Sequence, residues 1–253
     1  MSNRVNVDQL LTDFHAAAQT AGFTVKSYAT VFAYPLLVAT RRAGDRAKAP
    51  KKVYLSSGIH GDEPAPPLAL IDLLNRDALP HAHDYMLFPC MNPSGLAAGT
   101  RENPHGIDLN RDFSDFQSDE IRAHRNWLDA HCSSLDLAIH LHEDWEATGA
   151  YFYELNFNGH RSRADAILAA ATKYLPIETA TRIDGHRARN GVIRPRSLPQ
   201  VPEGNPEAIY LQKRYQALNY TIETPSALPI SRRVAALSAS ALAAINGPVE
   251  RPR

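Results

Sequence analysis

Short apolar runs alternate with segments of helical periodicity along most of the chain, and this alternation constrains the fold more than any other feature. Val5 to Ala21 places Leu10, Leu11, Phe14 and Ala18 at helical spacing, and Gly22 follows as a stop. Phe23 to Thr40 reads as two strands broken near Tyr34-Pro35, and Lys52 to Ser57 as a third. A helix is predicted from about Pro66 to Asn75, with two prolines in its first turn, where proline is tolerated. Further strands are predicted at Tyr85–Pro89, Leu135–His142, Tyr151–Leu155 and Asn219–Glu223. Further helices are predicted at Asp119–Cys132, Arg161–Tyr174, Tyr210–Gln216 and Ile230–Ile245. Asn92 to Phe113 and Thr181 to Asn205 read as loops, the second a long irregular excursion near any site. Such an order predicts a single α/β domain over 1–247: a mixed, mostly parallel sheet with helices on both faces, and a disordered tail at 248–253. Ligands of such sheets bind beyond the carboxyl ends of the strands.

Lys+Arg and Asp+Glu both number 27, so the formal charge is zero. Neither nucleic acid nor an anionic membrane is an expected partner of so balanced a chain. The two cysteines, Cys90 and Cys132, form no C-x-x-C pair, which excludes a cysteine zinc site and predicts two unpaired thiols. The first residues carry Asp8, Asp13 and His15 where a signal peptide needs an unbroken apolar run, and the expected location is the cytoplasm.

The informative polar residues follow predicted strands. His60-Gly-Asp-Glu63 offers an imidazole and a carboxylate three residues apart at a strand end. That spacing lets both point at one ion, and zinc accepts such N and O donors. By itself the pattern is weak, because a carboxylate at a helix start near a surface histidine gives the same spelling. In Leu135-Asp-Leu-Ala-Ile-His-Leu-His142, period two puts Leu137, Ile139 and Leu141 on one face and Ala138, His140 and His142 on the other. Two histidines at the end of a buried strand need partners. They serve as one ligand with one orienting group, or as a hydrogen-bonded pair at a strand edge. In Asn219-Tyr-Thr-Ile-Glu223-Thr-Pro-Ser, a carboxylate ends an apolar strand. Alone it would be a residue at a helix start; beside an activated water it would be a general base.

Together these segments resemble the zinc carboxypeptidase superfamily of metallocarboxypeptidases, including its relatives in the succinylglutamate desuccinylase/aspartoacylase group. The resemblance runs from Val53 to Pro225. It includes His60-Gly-Asp-Glu63, the turn Asn92-Pro-Ser-Gly95, and Arg101-Glu-Asn-Pro-His-Gly-Ile-Asp-Leu-Asn110-Arg111-Asp-Phe113. It also includes His140-Leu-His142-Glu-Asp and Thr221-Ile-Glu223-Thr-Pro225. The resemblance implies one Zn2+ ion bound by His60, Glu63 and His142, with Glu223 as the catalytic base. It implies that Arg101 stabilises the oxyanion, and that Asn110 and Arg111 grip a substrate carboxylate. An Arg fork suits a planar carboxylate. His140 stands where the family commonly has an aspartate, so His140 is the alternative third ligand. Glu143 is the alternative base, and Tyr210 lies where a substrate-contacting tyrosine is sought. The implied substrate is a small peptide losing its C-terminal residue, or an N-acyl amino acid losing its acyl group. A zinc-binding module without catalysis is the contrasting reading, and the presence of both Glu223 and Arg101 weighs against it.

Overall fold

The computed structural model describes residues 5–247, and the predicted tail at 248–253 lies outside them. Helix α1 (Val7–Thr20) starts where the Asn6 side chain accepts the N–H of Gln9, and it buries Leu10, Leu11, Phe14, Ala17 and Ala18 along one stripe. Strands β1 (Thr24–Val31) and β2 (Tyr34–Arg41) follow as an antiparallel hairpin. Its turn is Phe32-Ala33, both at positive φ, two residues before the predicted break. Pro35 sits at the start of β2, a position that a strand tolerates.

The centre of the sheet is built by β3 (Lys52–Ser56), β4 (Asp84–Phe88), β5 (Leu137–Asp144) and β10 (Leu218–Pro225). These four run parallel in the order β4-β3-β5-β10. Helix α2 (Ala65–Asn75) crosses from β3 to β4, and α4 (Asp119–His131) precedes β5. The sheet continues on one side through β2 and β1. On the other it continues through β6 (Tyr151–Leu155), β9 (Val192–Ile193), β8 (His186–Arg189) and β7 (Arg182–Ile183). The sheet is mixed, as expected: parallel at its centre and largely antiparallel towards its edges, where tight turns join neighbouring strands.

The excursion Thr181–Asn205 is less irregular than predicted, because it contains β7, β8 and β9. The tight turns are Asp184-Gly185 and Asn190-Gly191, all four residues at positive φ, as a two-residue hairpin turn requires. The predicted loop Asn92–Phe113 also contains a helix, α3 (Pro93–Ala98). The Asn92 side chain caps it by accepting the N–H of Gly95, and Gly99 closes it at φ 70°.

Helices cover both faces. Leu70 and Leu73 of α2 and Leu237 and Ala241 of α7 (Ile230–Asn246) pack with Val53, Leu55, Leu137 and Ile139, a layer joined by α1 and by α5 (Ala164–Ala171). On the opposite face, Ile121 and Leu128 of α4 and Leu211 of α6 (Glu207–Tyr215) pack with Tyr54, Phe88 and Ala138. Burial of each valine, leucine, isoleucine and phenylalanine side chain among them contributes roughly 1.5–3 kcal/mol. Among the described residues no helix is long and apolar enough to cross a membrane. Cys90 and Cys132 are both free and buried.

The loop after β3 rests on α3 at Gly61, where an added Cβ would lie far inside contact distance of the Gly95 and Leu96 backbone. No side chain can yield there. Gly61→Ala is therefore expected to cost about 1–3 kcal/mol and to lower Tm by on the order of 5 °C. Because Gly61 adjoins His60, metal binding should weaken with it; an unchanged melting profile would remove the close approach as a constraint.

Candidate metal centre and substrate cleft

Three adjacent parallel strands deliver the polar cluster. β3 runs into the loop carrying His60 and Glu63, β5 carries His142 and Glu143 in its last three residues, and β10 carries Glu223 in its last three, so all lie near carboxyl ends. In the strand register, Ser56 stands opposite His140, His140 opposite Thr221, and His142 opposite Glu223. The cluster thus has two rows, one a single pleat deeper than the other.

The outer row holds His60, Glu63 and His142, which are 3%, 4% and 2% exposed. His60 Nδ1 lies 2.5 Å from Glu63 Oε1, and His142 Nδ1 lies 3.1 Å from Glu63 Oε2. One donor atom from each falls within 4.8 Å of the others, the convergence that a metal ion needs. Burial by itself would lower the pKa of His60, but Glu63 and Asp108 outweigh it and raise it to about 9. Burial dominates at His142 and lowers its pKa despite the nearby Glu63. Burial would raise Glu63, yet His60 and His142 together hold it at about 2. The pocket is thus a buried anion that demands a neighbouring cation. Two imidazole nitrogens and a carboxylate match the donors zinc accepts, so the residues fit the metal that the sequence implies.

Supporting contacts fix these side chains. Asp108 Oδ1 lies 3.3 Å from His60 Nε2, while its Oδ2 accepts Arg101 Nε at 3.0 Å. Burial would raise Asp108, but the hydrogen bond and charge of His60, with Arg101, hold it well below the usual carboxylate range. Arg101 Nη1 reaches to 3.3 Å from His60 Nδ1 and 3.9 Å from Glu63 Oε1. The Glu143 N–H donates to Glu63 Oε2 at 3.1 Å. The Glu143 side chain turns away, accepting the Ala65 N–H at 2.9 Å and pairing with buried Arg233. The alternative base of the sequence reading is therefore engaged as a brace.

The deeper row belongs to His140. Its Nδ1 lies 2.7 Å from Glu207 Oε2 and 3.0 Å from Ser56 Oγ, and its Nε2 lies 3.3 Å from Asn219 Oδ1. The alternative third ligand thus faces a different carboxylate from the one that His60 and His142 share. Glu207 was missed in the sequence because its helix was expected to start three residues later, at Tyr210.

A cleft of about 480 Å3 opens over both rows. Arg101, Asn110, Arg111, Glu223, Tyr151 and Tyr153 are among the residues that line it. Glu223 is half-buried; burial, with the charges of Glu63, Asp144 and Asp184, pushes its pKa well above the ordinary carboxylate value. Arg111 Nη1 donates to the Asn110 carbonyl at 2.9 Å, and among the described residues its guanidinium forms no ion pair. Tyr210 stays outside the cleft, packed on Phe113 with ring centroids 5.3 Å apart. The tyrosines at the cleft come from β6 instead, Tyr151 donating to Asp144 and Tyr153 to Asp184.

The family model of the succinylglutamate desuccinylase/aspartoacylase catalytic domain matches residues 49–179. Among solved structures, a candidate metallopeptidase of Shewanella denitrificans OS217 superposes with a TM-score of 0.82, at 24% identity, over 95% of this chain and 89% of that one. A candidate metallopeptidase of Shewanella amazonensis SB2B gives 0.81 at 23%, over 95% and 92%. A metallo-carboxypeptidase from Burkholderia cenocepacia gives 0.70 at 18%, over 94% and 67%. At these identities the likeness is one of fold. No curated protein matches the chain.

The two rows predict different outcomes for the two histidines of β5. His142→Ala should lose stoichiometric zinc after dialysis, as read by elemental analysis. His140→Ala should retain zinc while losing stability, because it strips a partner from buried Glu207. The reverse order of zinc loss would move the third ligand to His140.

Proposed function

The chain belongs to the succinylglutamate desuccinylase/aspartoacylase family, and from that premise we propose that it is a zinc-dependent hydrolase cleaving an amide bond next to a free carboxylate. The observation that carries this reading is the meeting in one cleft of the His60/Glu63/His142 cluster, half-buried Glu223 and Arg111, which forms no ion pair among the described residues. His60, Glu63 and His142 would hold one ion through two imidazole nitrogens and a carboxylate. A zinc ion there supplies Lewis acidity and makes water a nucleophile near neutral pH.

The protein side chains carry the remaining work. Glu223 takes the proton of the attacking water and passes it to the leaving nitrogen, as a general base and then a general acid. Arg101, kept in place by Asp108, directs its guanidinium towards the oxygen that becomes negative in the transition state. Asn110 and Arg111 grip the substrate carboxylate, and so place the amide bond beside Glu223. The double donor of an arginine matches a carboxylate bidentately.

Removal of a C-terminal amino acid in the manner of a metallocarboxypeptidase is the leading form of this reaction. Deacylation of an N-acyl amino acid is the second, and the match to the desuccinylase/aspartoacylase domain favours it. Both substrates present a carboxylate beside the scissile amide. Short peptides and N-acyl amino acids, screened against zinc-loaded protein, separate the two.

Glu223→Gln keeps the shape but cannot accept a proton. Zinc should remain bound while turnover falls by on the order of 10²-fold or more; near-normal turnover would reassign the base. Amidating the substrate carboxylate should lower kcat/KM by on the order of 10²-fold, through loss of a charge-assisted bidentate contact. Arg111→Lys should impair the free acid and leave the amide nearly unaffected. Equal cleavage of acid and amide would remove Asn110 and Arg111 from substrate binding.

A further inference from the structure

Resting on the reading that Asn110 and Arg111 grip the substrate carboxylate, we propose that Glu207 is a positioning residue that ties this grip to the strands holding the metal ligands. The Glu207 N–H donates to Asn110 Oδ1 at 2.9 Å. Only the amide oxygen can accept that proton, so the Asn110 side chain has one orientation. Its oxygen is engaged by α6, and its NH2 group remains for a ligand in the cleft that Asn110 lines.

The place of that N–H depends on where α6 begins, and the Glu207 side chain sets it. The carboxylate is 1% exposed. Its Oε1 accepts from Tyr54 Oη, its Oε2 accepts from Ser56 Oγ at 2.7 Å, and His140 Nδ1 lies 2.7 Å from Oε2. Tyr54 and Ser56 stand on β3, which leads into His60 and Glu63. His140 stands on β5, two residues before His142. Glu207 is thus anchored to the two strands that deliver all three proposed ligands. Burial would raise its pKa, but His140 above all, with His124 and Tyr54, holds it at about 2, so the anchor is a charge.

The preceding residues dock on the same segment independently. The Asn205 N–H donates to Ser114 Oγ at 2.8 Å. Gly204, at φ 116°, packs its backbone on the Arg111 carbonyl, where a Cβ would collide. Residues 204–207 therefore clamp residues 110–114, and Glu207 fastens the clamp to the floor of the cleft. The distance between the carboxylate grip and the metal ligands, which selects where a substrate is cut, is set through this side chain.

The test measures binding in the Glu223→Gln background, where turnover does not interfere. The probes are N-acetyl-L-leucine and N-acetyl-L-leucinamide, titrated by calorimetry into zinc-loaded protein. The parent should prefer the acid. Glu207→Ala should weaken the acid by on the order of 10-fold, leaving the amide and the zinc content unchanged. Glu207→Gln, which keeps an acceptor for part of the network, should lose only about threefold. In an Asn110→Ala background both Glu207 substitutions should add nothing further, since two residues acting as one unit are not additive. The Gln series carries this cycle by itself should the Ala variant not fold. Equal weakening of acid and amide, or effects that add to those of Asn110→Ala, would overturn the positioning role and leave Glu207 as scaffold only. A parent without preference for the acid would overturn the carboxylate reading itself, and the role of Glu207 with it.

Discussion

A carboxylate taken out of water between two imidazoles is the constraint on which the rest of the structure depends. Glu63 is almost fully buried, and isolated burial of such a charge is prohibitive. Every neighbouring element contributes to making it tolerable. β3 and β5 bring His60 and His142 against its two oxygens, the backbone of Glu143 donates to it, and Arg101 stands at its edge. Glu143 in turn ties the first turn of α2 to Arg233 of α7. The face covered by α2 and α7 is therefore coupled to the His60/Glu63/His142 cluster by hydrogen bonds as well as by apolar packing. Breaking such a buried pair from one side costs more than its net contribution to stability, because it leaves the other charge unpaired.

The strand pleat repeats this solution one step deeper. His140 and His142 share a face of β5, and each meets a buried carboxylate from a different element: Glu63 from the loop after β3, Glu207 from the start of α6. The upper carboxylate is shared by two imidazoles and lies beside the cleft. The lower one meets a single imidazole, His140, together with the hydroxyls of Tyr54 and Ser56. Both carboxylates have partners on each oxygen, so it is the type of partner that separates them: two imidazoles converge with Glu63 as metal donors can, whereas hydroxyls complete a structural network around Glu207.

Much of the fold and the outer row was legible in the sequence, for reasons that are local. Periodicity identified the central strands and the helices α1, α2, α4 and α7, because each buries one continuous stripe or face. The grouping of His60, Glu63 and His142 came from the resemblance of their segments to a known family, since each spacing alone is weak, and the structure brings the three together. The choice between His140 and His142 was not, since period two puts both on one face and only depth along the strand separates them. Asp184-Gly185 and Asn190-Gly191 carried the hairpin signal for β7–β9. The stretch also carries Pro195, Pro199 and Pro202, which read as irregular, and its strands are only two to four residues long. Glu207 gave no local sign of burial: a glutamate after a proline is ordinary at a helix start, and its partners lie some 67 to 153 residues away in the chain.

Those separations also bear on how the cleft works. Arg111 donates from Nη1 to the Asn110 carbonyl and forms no ion pair among the described residues, while its backbone carbonyl packs on Gly204. Its guanidinium feels the charge of Asp108 without pairing to it, which leaves donors for a ligand carboxylate with little reorganisation. Glu223 lines the same cleft, and the charges of Glu63, Asp144 and Asp184 oppose a further negative charge there, against the pull of Arg101. On the proposed reading, a substrate carboxylate is therefore drawn to Arg111 and kept from Glu223, which favours one orientation of its adjoining amide bond over the reverse.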